Sequence, residues 1–228
     1  MLQAVILDFD GVIADTEPLH FRAFNEVLGR YDVEISKEAY YRDYLGYNDH
    51  DCFEIIKKAN AANIGRTSIK SLMQQKSKAY LELIKDQPCV IDYVPDFLKA
   101  LTANNLSIAI CSGALRNEIE TMLVNVRLLD FFEVIVSADE VKKGKPDPQG
   151  FLITLQMLNS RHPGKTIKAA DCVVIEDSHW GLEAAQAAGM HTVAVANSYA
   201  EDKLAMAEMV VGSLSQLSIT DLQKLCKL

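Results

Sequence analysis

Apolar residues fall along this chain in two textures. Residues 4–9, Ala-Val-Ile-Leu-Asp-Phe, form a short and almost continuous run, as a strand covered on both faces requires, and it ends at Asp10-Gly11. From about residue 16 to residue 87 the spacing becomes helical. Phe21, Phe24, Val27 and Leu28 recur at three and four residues, as do Ile69, Leu72, Met73, Tyr80, Leu81 and Ile84. No strand-like run interrupts this stretch, which predicts an all-helical insert of about five segments, broken near Gly46 and Gly65. After Pro88 short apolar runs alternate with helical patterns, the mark of an α/β sheet. Strands are predicted over 106–111, 134–137, 172–176 and 192–196. Helices are predicted over 95–103, 116–124, 148–159, 180–188 and 219–226, with Pro95 suited to a first turn and Gly189 to a stop. The expected architecture is a parallel sheet flanked by helices, formed by 1–15 and 88–228, with a helical domain inserted at 16–87.

Composition narrows the classes of partner. The 228 residues carry a net charge of −8 and no basic run, which argues against a nucleic-acid partner, since phosphate backbones need clustered Lys and Arg. An anionic substrate would have to be held by a few local charges, with a cation. No apolar stretch approaches the ~20 residues of a membrane helix. The N-terminal apolar run lacks a basic flank and is broken by Asp8 and Asp10, so it does not read as a signal peptide. The five cysteines (Cys52, Cys89, Cys111, Cys172, Cys226) are odd in number and contain no C-x-x-C, which makes zinc an unsuitable reading. Cys111 and Cys172 sit in apolar runs and read as small core residues. The expectation is a protein of the reducing cytoplasm acting on a small molecule. A monomer is expected, although no motif decides the oligomeric state.

Chemistry gathers at the ends of the predicted strands. Asp8 and Asp10 are two apart, so a strand directs them to one side, and a turn at Gly11 lets both serve one site. Open α/β sheets bind ligands outside the carboxyl ends of their strands. The second strand ends at Ser112-Gly113, where a hydroxyl and nearby amides suit a phosphate oxygen, although Ser-Gly is also an ordinary turn. Lys145 lies in Lys142-Lys143-Gly144-Lys145-Pro146-Asp147-Pro148, either a solvated loop or a proline-pinned ammonium facing an anion. Glu176-Asp177-Ser178 closes a buried strand, and two acids there need a cation or donors unless they are solvated caps. Together these motifs put Asp8, Asp10, Ser112, Lys145, Glu176 and Asp177 on one edge of one sheet.

In kind and order, Asp8-Phe9-Asp10-Gly11-Val12, Ser112, Lys145-Pro146 and Glu176-Asp177 resemble the motifs of the haloacid dehalogenase superfamily. The likeness runs over 4–14 and about 88–215, and the helical insert resembles the family's small cap. Asp15-Thr16-Glu17-Pro18, and Glu176-Asp177-Ser178 followed by Gly181 and Ala184-Ala185, look most like the β-phosphoglucomutase and phosphoglycolate phosphatase branch. The resemblance implies a Rossmann-like α/β core with an α-helical cap. It further implies that Asp8 attacks phosphorus to form an aspartyl-phosphate and that Asp10 serves as acid and then base. Mg²⁺ would be held by Asp8, the Asp10 carbonyl and Asp177, with Glu176 as ligand or support, while Ser112, Gly113 and Lys145 hold the phosphoryl group. Dehalogenase relatives lack an acid two places after the nucleophile and phosphonatase relatives carry alanine there, so Asp10 favours P–O cleavage.

His20 and Lys76 match cap residues of the mutase-like branch. Each also has a plain reading, a structural or solvated histidine and a surface helix lysine. Where the mutase loop carries an arginine for a distal phosphate, this chain has Asn48, Asp49 and His50, and Arg42 and Arg66 are off-pattern. An acid in that loop disfavours a second phosphate. Arg116 either touches substrate or decorates a helix start. The leading expectation is a Mg²⁺-dependent phosphomonoester hydrolase of a sugar phosphate or a phosphoglycolate-sized molecule. The alternatives are a β-phosphoglucomutase-like isomerase and a binding protein that kept the fold.

Overall fold

The computed structural model of the chain describes residues 1–45, 47–87, 89–164 and 166–227; Gly46 and Pro88, an expected break and an expected boundary, lie outside the described residues. Strand β1 is Ala4–Leu7, followed by helices α1 (Glu17–Leu28), α2 (Lys37–Asp43), α3 (Asp49–Ala59), α4 (Ala61–Ile64) and α5 (Ile69–Asp86). Then come α6 (Val94–Ala103), β2 (Ser107–Cys111), α7 (Arg116–Asn125), β3 (Val134–Val136), α8 (Gln149–Arg161) and β4 (Cys172–Glu176). The chain finishes with α9 (His179–Ala187), β5 (His191–Val195), β6 (Met209–Val211) and α10 (Ile219–Leu225). Two compact units result, Met1–Asp15 with Cys89–Leu228, and Thr16–Pro88.

In the first unit the strands form one sheet in the order β3-β2-β1-β4-β5-β6, each parallel to its neighbours. Because a parallel sheet is covered on both faces, its strands are mostly apolar. Every residue of β1 is buried. Ala4 and Ile6 share a face with Ala109, Cys111, Val134, Val136, Cys172 and Val174, and Phe151 and Leu158 of α8 and Ala184 and Ala185 of α9 cover it. Fully burying a side chain such as Phe151 or Leu158 contributes roughly 1.5–3 kcal/mol. Cys111 and Cys172 are indeed small core residues, and all five thiols are free.

The sequence pattern misses β6. This strand has three residues, sits at the sheet edge and is only partly buried, so no alternation marks it. The long run at the N-terminus overstates β1, because Asp8, Phe9 and Asp10 leave the ladder to enter a turn. There Gly11 takes φ +77° and its N–H bonds to Ala14 O (2.8 Å). A left-handed backbone of this kind suits glycine, which has no Cβ to clash.

The second unit has its own core of Phe24, Val27 and Leu28 from α1, Phe53 and Ile56 from α3, and Leu72 from α5. Three of its helices, α2, α3 and α5, start on side-chain caps. Ser36, Asn48 and Ser68 accept from the amides of Ala39, Asp51 and Ser71, each worth about 1 kcal/mol. Gly65 ends α4 with φ +59°, the break expected there. Among the described residues no helix is long and apolar enough to cross a membrane.

Candidate active site

The sheet register brings the acids together. Leu7 is level with Ile110 of β2 and Ile175 of β4, so the next residues, Asp8 and Glu176, emerge side by side. The Asp8 amide keeps this alignment by donating to Ile175 O (2.9 Å). Strand β1 lies between β2 and β4, where the strand order reverses, and such a switch point opens a crevice at the carboxyl edge.

Lys145 crosses to this crevice from the loop before α8. Its Nζ lies 2.7 Å from Asp8 Oδ1 and 2.5 Å from Glu176 Oε1. The other oxygen of Glu176, Oε2, accepts from the amides of Asp177 (3.0 Å) and Ser178 (3.1 Å) and from the Ser178 hydroxyl (2.9 Å). Gly181 makes room for this carboxylate, since a Cβ there would overlap it. Asp177 Oδ2 accepts from the Ser198 hydroxyl. Carboxylate oxygens of Asp8, Glu176 and Asp177 all lie within 4.8 Å of one another, and all three residues are buried.

So many acids in so little water perturb one another. Burial pushes the Asp8 carboxyl up to about 7; Lys145 pulls the other way, while Glu176 and Asp10 add to the rise. Burial also drives Asp177 well above the usual carboxylate range, with Glu176 and Asp8 reinforcing it against Ser198 and Lys145. For Lys145 burial alone would lower the pKa, but Asp8 and Glu176 outweigh it and hold the ammonium well above its ordinary value. One lysine faces three carboxylates, so negative charge is in excess. An all-oxygen, acid-rich donor set of this kind fits a hard divalent cation such as Mg²⁺ and suits soft metals poorly.

The remaining expected residues divide. Ser112 follows β2 at the same edge, buried; its amide donates to Val136 O (2.9 Å) and its Oγ accepts from the Ala114 amide (3.1 Å). Gly113 is the exposed residue of that turn. Arg116 is engaged by its own chain. Its guanidinium bonds Glu140 (2.6 and 2.7 Å), Glu120 (3.0 Å) and Ile135 O (2.5 Å), and its amide bonds Asp139. Two acids and a carbonyl hold it at the start of α7.

His20 and Lys76 lie in the second unit and meet there. Lys76 is only 1% exposed, which removes the surface-lysine reading. Its Nζ donates to His20 Nδ1 (2.6 Å) and pairs with Asp49 Oδ1 (2.9 Å). It also lies over the rings of Phe24 (5.3 Å) and Tyr80 (5.2 Å), and the His20 ring stacks on Tyr80 at 4.2 Å. Burial, and then the Lys76 charge, hold His20 well below the ordinary histidine value, so its ring is neutral and Nδ1 is free of a proton to accept. Asp49, noted in the sequence for its repulsion of phosphate, is thus the counter-ion of a buried lysine.

Sequence reasoning passed over two residues at the first unit's edge, Asn197 and Ser198. Asn197 Nδ2 donates to Gly11 O (2.8 Å), and Ser198 bonds Asp177. The available signal was position, a short polar pair directly after a buried strand.

A family model described as haloacid dehalogenase-like hydrolase matches residues 5–195. The chain is 31% identical over 193 residues to a phosphorylated carbohydrates phosphatase of Thermotoga maritima, covering 84% of each protein. It is 30% identical over 222 residues to a β-phosphoglucomutase of Bacillus subtilis, covering 96% of this chain and 92% of that one. The structure of a β-phosphoglucomutase from Clostridium difficile superposes with a TM-score of 0.81 at 26% identity, over 100% of this chain and 98% of the other. The chain belongs to the haloacid dehalogenase-like hydrolase family and is an enzyme of its phosphatase and β-phosphoglucomutase branch.

Proposed function

We propose that this enzyme is a Mg²⁺-dependent phosphomonoester hydrolase acting on a small phosphorylated carbohydrate or a molecule of similar size. The observation that carries the reading is the buried contact of Asp8 with Lys145 inside an acid cluster that needs a further cation. A carboxylate and a phosphate dianion repel each other, by about 4 kcal/mol per pair of unit charges 4 Å apart at an effective dielectric of 20. Lys145 removes part of that barrier.

Asp8 attacks the substrate phosphorus. The Asp8 Oδ–P bond forms as the bond from phosphorus to the substrate's ester oxygen breaks, and Asp10 gives its proton to the departing alkoxide. A water then attacks the aspartyl-phosphate and Asp10 takes its proton. Inorganic phosphate leaves and the Asp8 carboxylate is restored. Ser112 and the Gly113 amide, at the next strand end, support the phosphoryl oxygens, and Lys145 follows their charge through both steps. Asp8, Asp177 and the Asp10 carbonyl would hold Mg²⁺, which supplies neutralising charge at the phosphoryl group. Glu176, whose two oxygens already carry Lys145 and three donors of 177–178, is an anchor in this scheme, not a ligand.

Isomerisation, in which a second sugar hydroxyl takes the phosphoryl group, is the other reading. It is favoured by the near full-length match to a β-phosphoglucomutase. Against it stands Asp49, which already neutralises the buried lysine Lys76 and lies, with Asn48 and His50, in the loop where the mutase carries an arginine. The two separate in one assay. Phosphate release with Mg²⁺ is measured on a panel of sugar monophosphates and phosphoglycolate, beside coupled detection of glucose 6-phosphate from β-glucose 1-phosphate. Release of phosphate from at least one substrate without isomerisation is expected. Isomerisation without release would overturn the hydrolase reading.

A further inference from the structure

The loop after β5 is tied to both halves of the acid cluster, and the reaction described above gives it no part. Asn197 Nδ2 donates to the carbonyl of Gly11, one residue after Asp10. Ser198 Oγ donates to Asp177 Oδ2, and when Asp177 is ionised, as a metal ligand must be, its carboxylate only accepts and the hydroxyl proton is committed to that bond. A Cβ on Gly11 would lie 2.8 Å from Ser198 Oγ and overlap the Asp177 carboxylate, so these two groups occupy the space the glycine leaves. The loop itself is anchored, with the Ala196 amide bonded to Val211 O (2.9 Å) of β6. Three strand ends therefore meet at Ser198: the turn after β1, the acid after β4 and the loop after β5.

We propose that Ser198 is a positioning residue that fixes the rotation of the Asp177 carboxylate. With Oδ2 engaged, Oδ1 is the oxygen presented to the cation. The inference rests on the reading that the acid cluster binds Mg²⁺ through Asp177. Partners of a ligating group of this kind typically alter metal affinity by about 10–100-fold when removed. Ser198 is exposed, and the adjoining cavity of about 180 Å³, lined by Gly11, Asp15, Ile91, Asn197 and Ser198, admits water if the hydroxyl is lost. Replacement therefore loosens Asp177 without opening the core.

The test is calorimetric titration of the metal-free protein with MgCl₂ alone, for wild type, S198A, S198T, S198V and D177N. S198A and S198V are expected to weaken Mg²⁺ binding about tenfold. S198T, which keeps the hydroxyl, is expected to restore it, and D177N to abolish it. In turnover the S198A defect is expected in the Mg²⁺ concentration needed for half activation, with kcat recovered at saturating Mg²⁺. Equal affinity of S198V and S198T, with D177N still defective, would overturn the role of Ser198 and leave the metal reading standing. Wild-type affinity in D177N would overturn the metal reading, and this inference with it.

Discussion

Removing Lys145 tests the electrostatic core of the site most directly. Its ammonium lies 2.7 Å from one buried carboxylate and 2.5 Å from another, with side-chain exposures of 18% for Lys145, 10% for Asp8 and 0% for Glu176. Unit charges at that separation attract by about 6 kcal/mol at an effective dielectric of 20. Desolvation of the groups cancels much of this, so the pair is not worth that sum. Breaking a buried pair from one side typically costs about 3–5 kcal/mol, because the remaining charge is stranded. In K145A the carboxyl of Asp8, already raised to about 7, rises further and takes up a proton, which keeps the loss at the lower end, about 3 kcal/mol. For a chain of this size each kcal/mol moves the melting point by about 2–4 °C, so a fall of about 6–12 °C is expected. A raised carboxyl pKa means that the folded protein holds a proton the unfolded chain releases. The deficit of K145A relative to wild type therefore grows as pH climbs through 7. The only tryptophan, Trp180, lies in α9, so its fluorescence follows the unit that contains Lys145. Millimolar MgCl₂ is expected to raise the K145A melting point more than that of wild type, since the cation replaces the missing positive charge. A K145A melting point within about 2 °C of wild type, with no extra response to Mg²⁺, would refute the account of a charge-starved acid cluster.

Three other outcomes are expected. D8N is predicted to lower phosphate release by on the order of 10⁴-fold or more while leaving the metal-free melting point unchanged or slightly higher, because a crowded carboxyl is neutralised; retained turnover would remove Asp8 as nucleophile. His20, held below its ordinary pKa, binds fewer protons folded than unfolded, so its share of stability is complete above about pH 6.5 and declines below it, by at most about 1.4 kcal/mol per pH unit. Urea titrations of wild type and H20N between pH 7 and 5 check this, and an H20N slope equal to wild type speaks against it. D49A strands the Lys76 ammonium and is expected to cost about 3 kcal/mol, whereas K76M combined with D49A recovers most of it. Strictly additive losses in that cycle would mean that Asp49 and Lys76 are not coupled.

The sequence displayed the chemistry of the first unit better than that of the second. Asp8, Glu176 and Asp177 end or follow buried parallel strands, and register carries such positions to one edge, so they could be read from apolar runs ending in acids, whereas Lys145 reaches that edge from the loop before α8 and was marked only by the proline after it. Ser198 escaped because a hydroxyl after a strand is commonplace, and its meaning comes from a bond to Asp177 that no local pattern encodes. Arg116 was ambiguous for the converse reason, since its partners Glu140 and Ile135 come from another strand and loop. In the helical unit, His20, Asp49 and Lys76 come from α1, α3 and α5, and helical periodicity says which face each residue occupies but not which faces meet. Lys76 looked like a surface lysine because a charged residue within a polar stretch usually is one. The short edge strand β6 lacked the burial that makes strands legible.

One detail of the core has a bearing on how such proteins diversify. The chain departs for the helical unit after Asp15 and returns at Cys89, and these two residues are bonded to each other, Asp15 N to Cys89 O at 2.8 Å, with Ile91 N to Ile13 O (2.9 Å) beside them. Departure and return therefore share a doorway braced by its own backbone ladder. The ends of an insert placed between those posts are held close by bonds that belong to the first unit, which keeps the closure cost of a longer or shorter insert small. Evolution, or an engineer, can exchange the guest while the host keeps its phosphoryl chemistry.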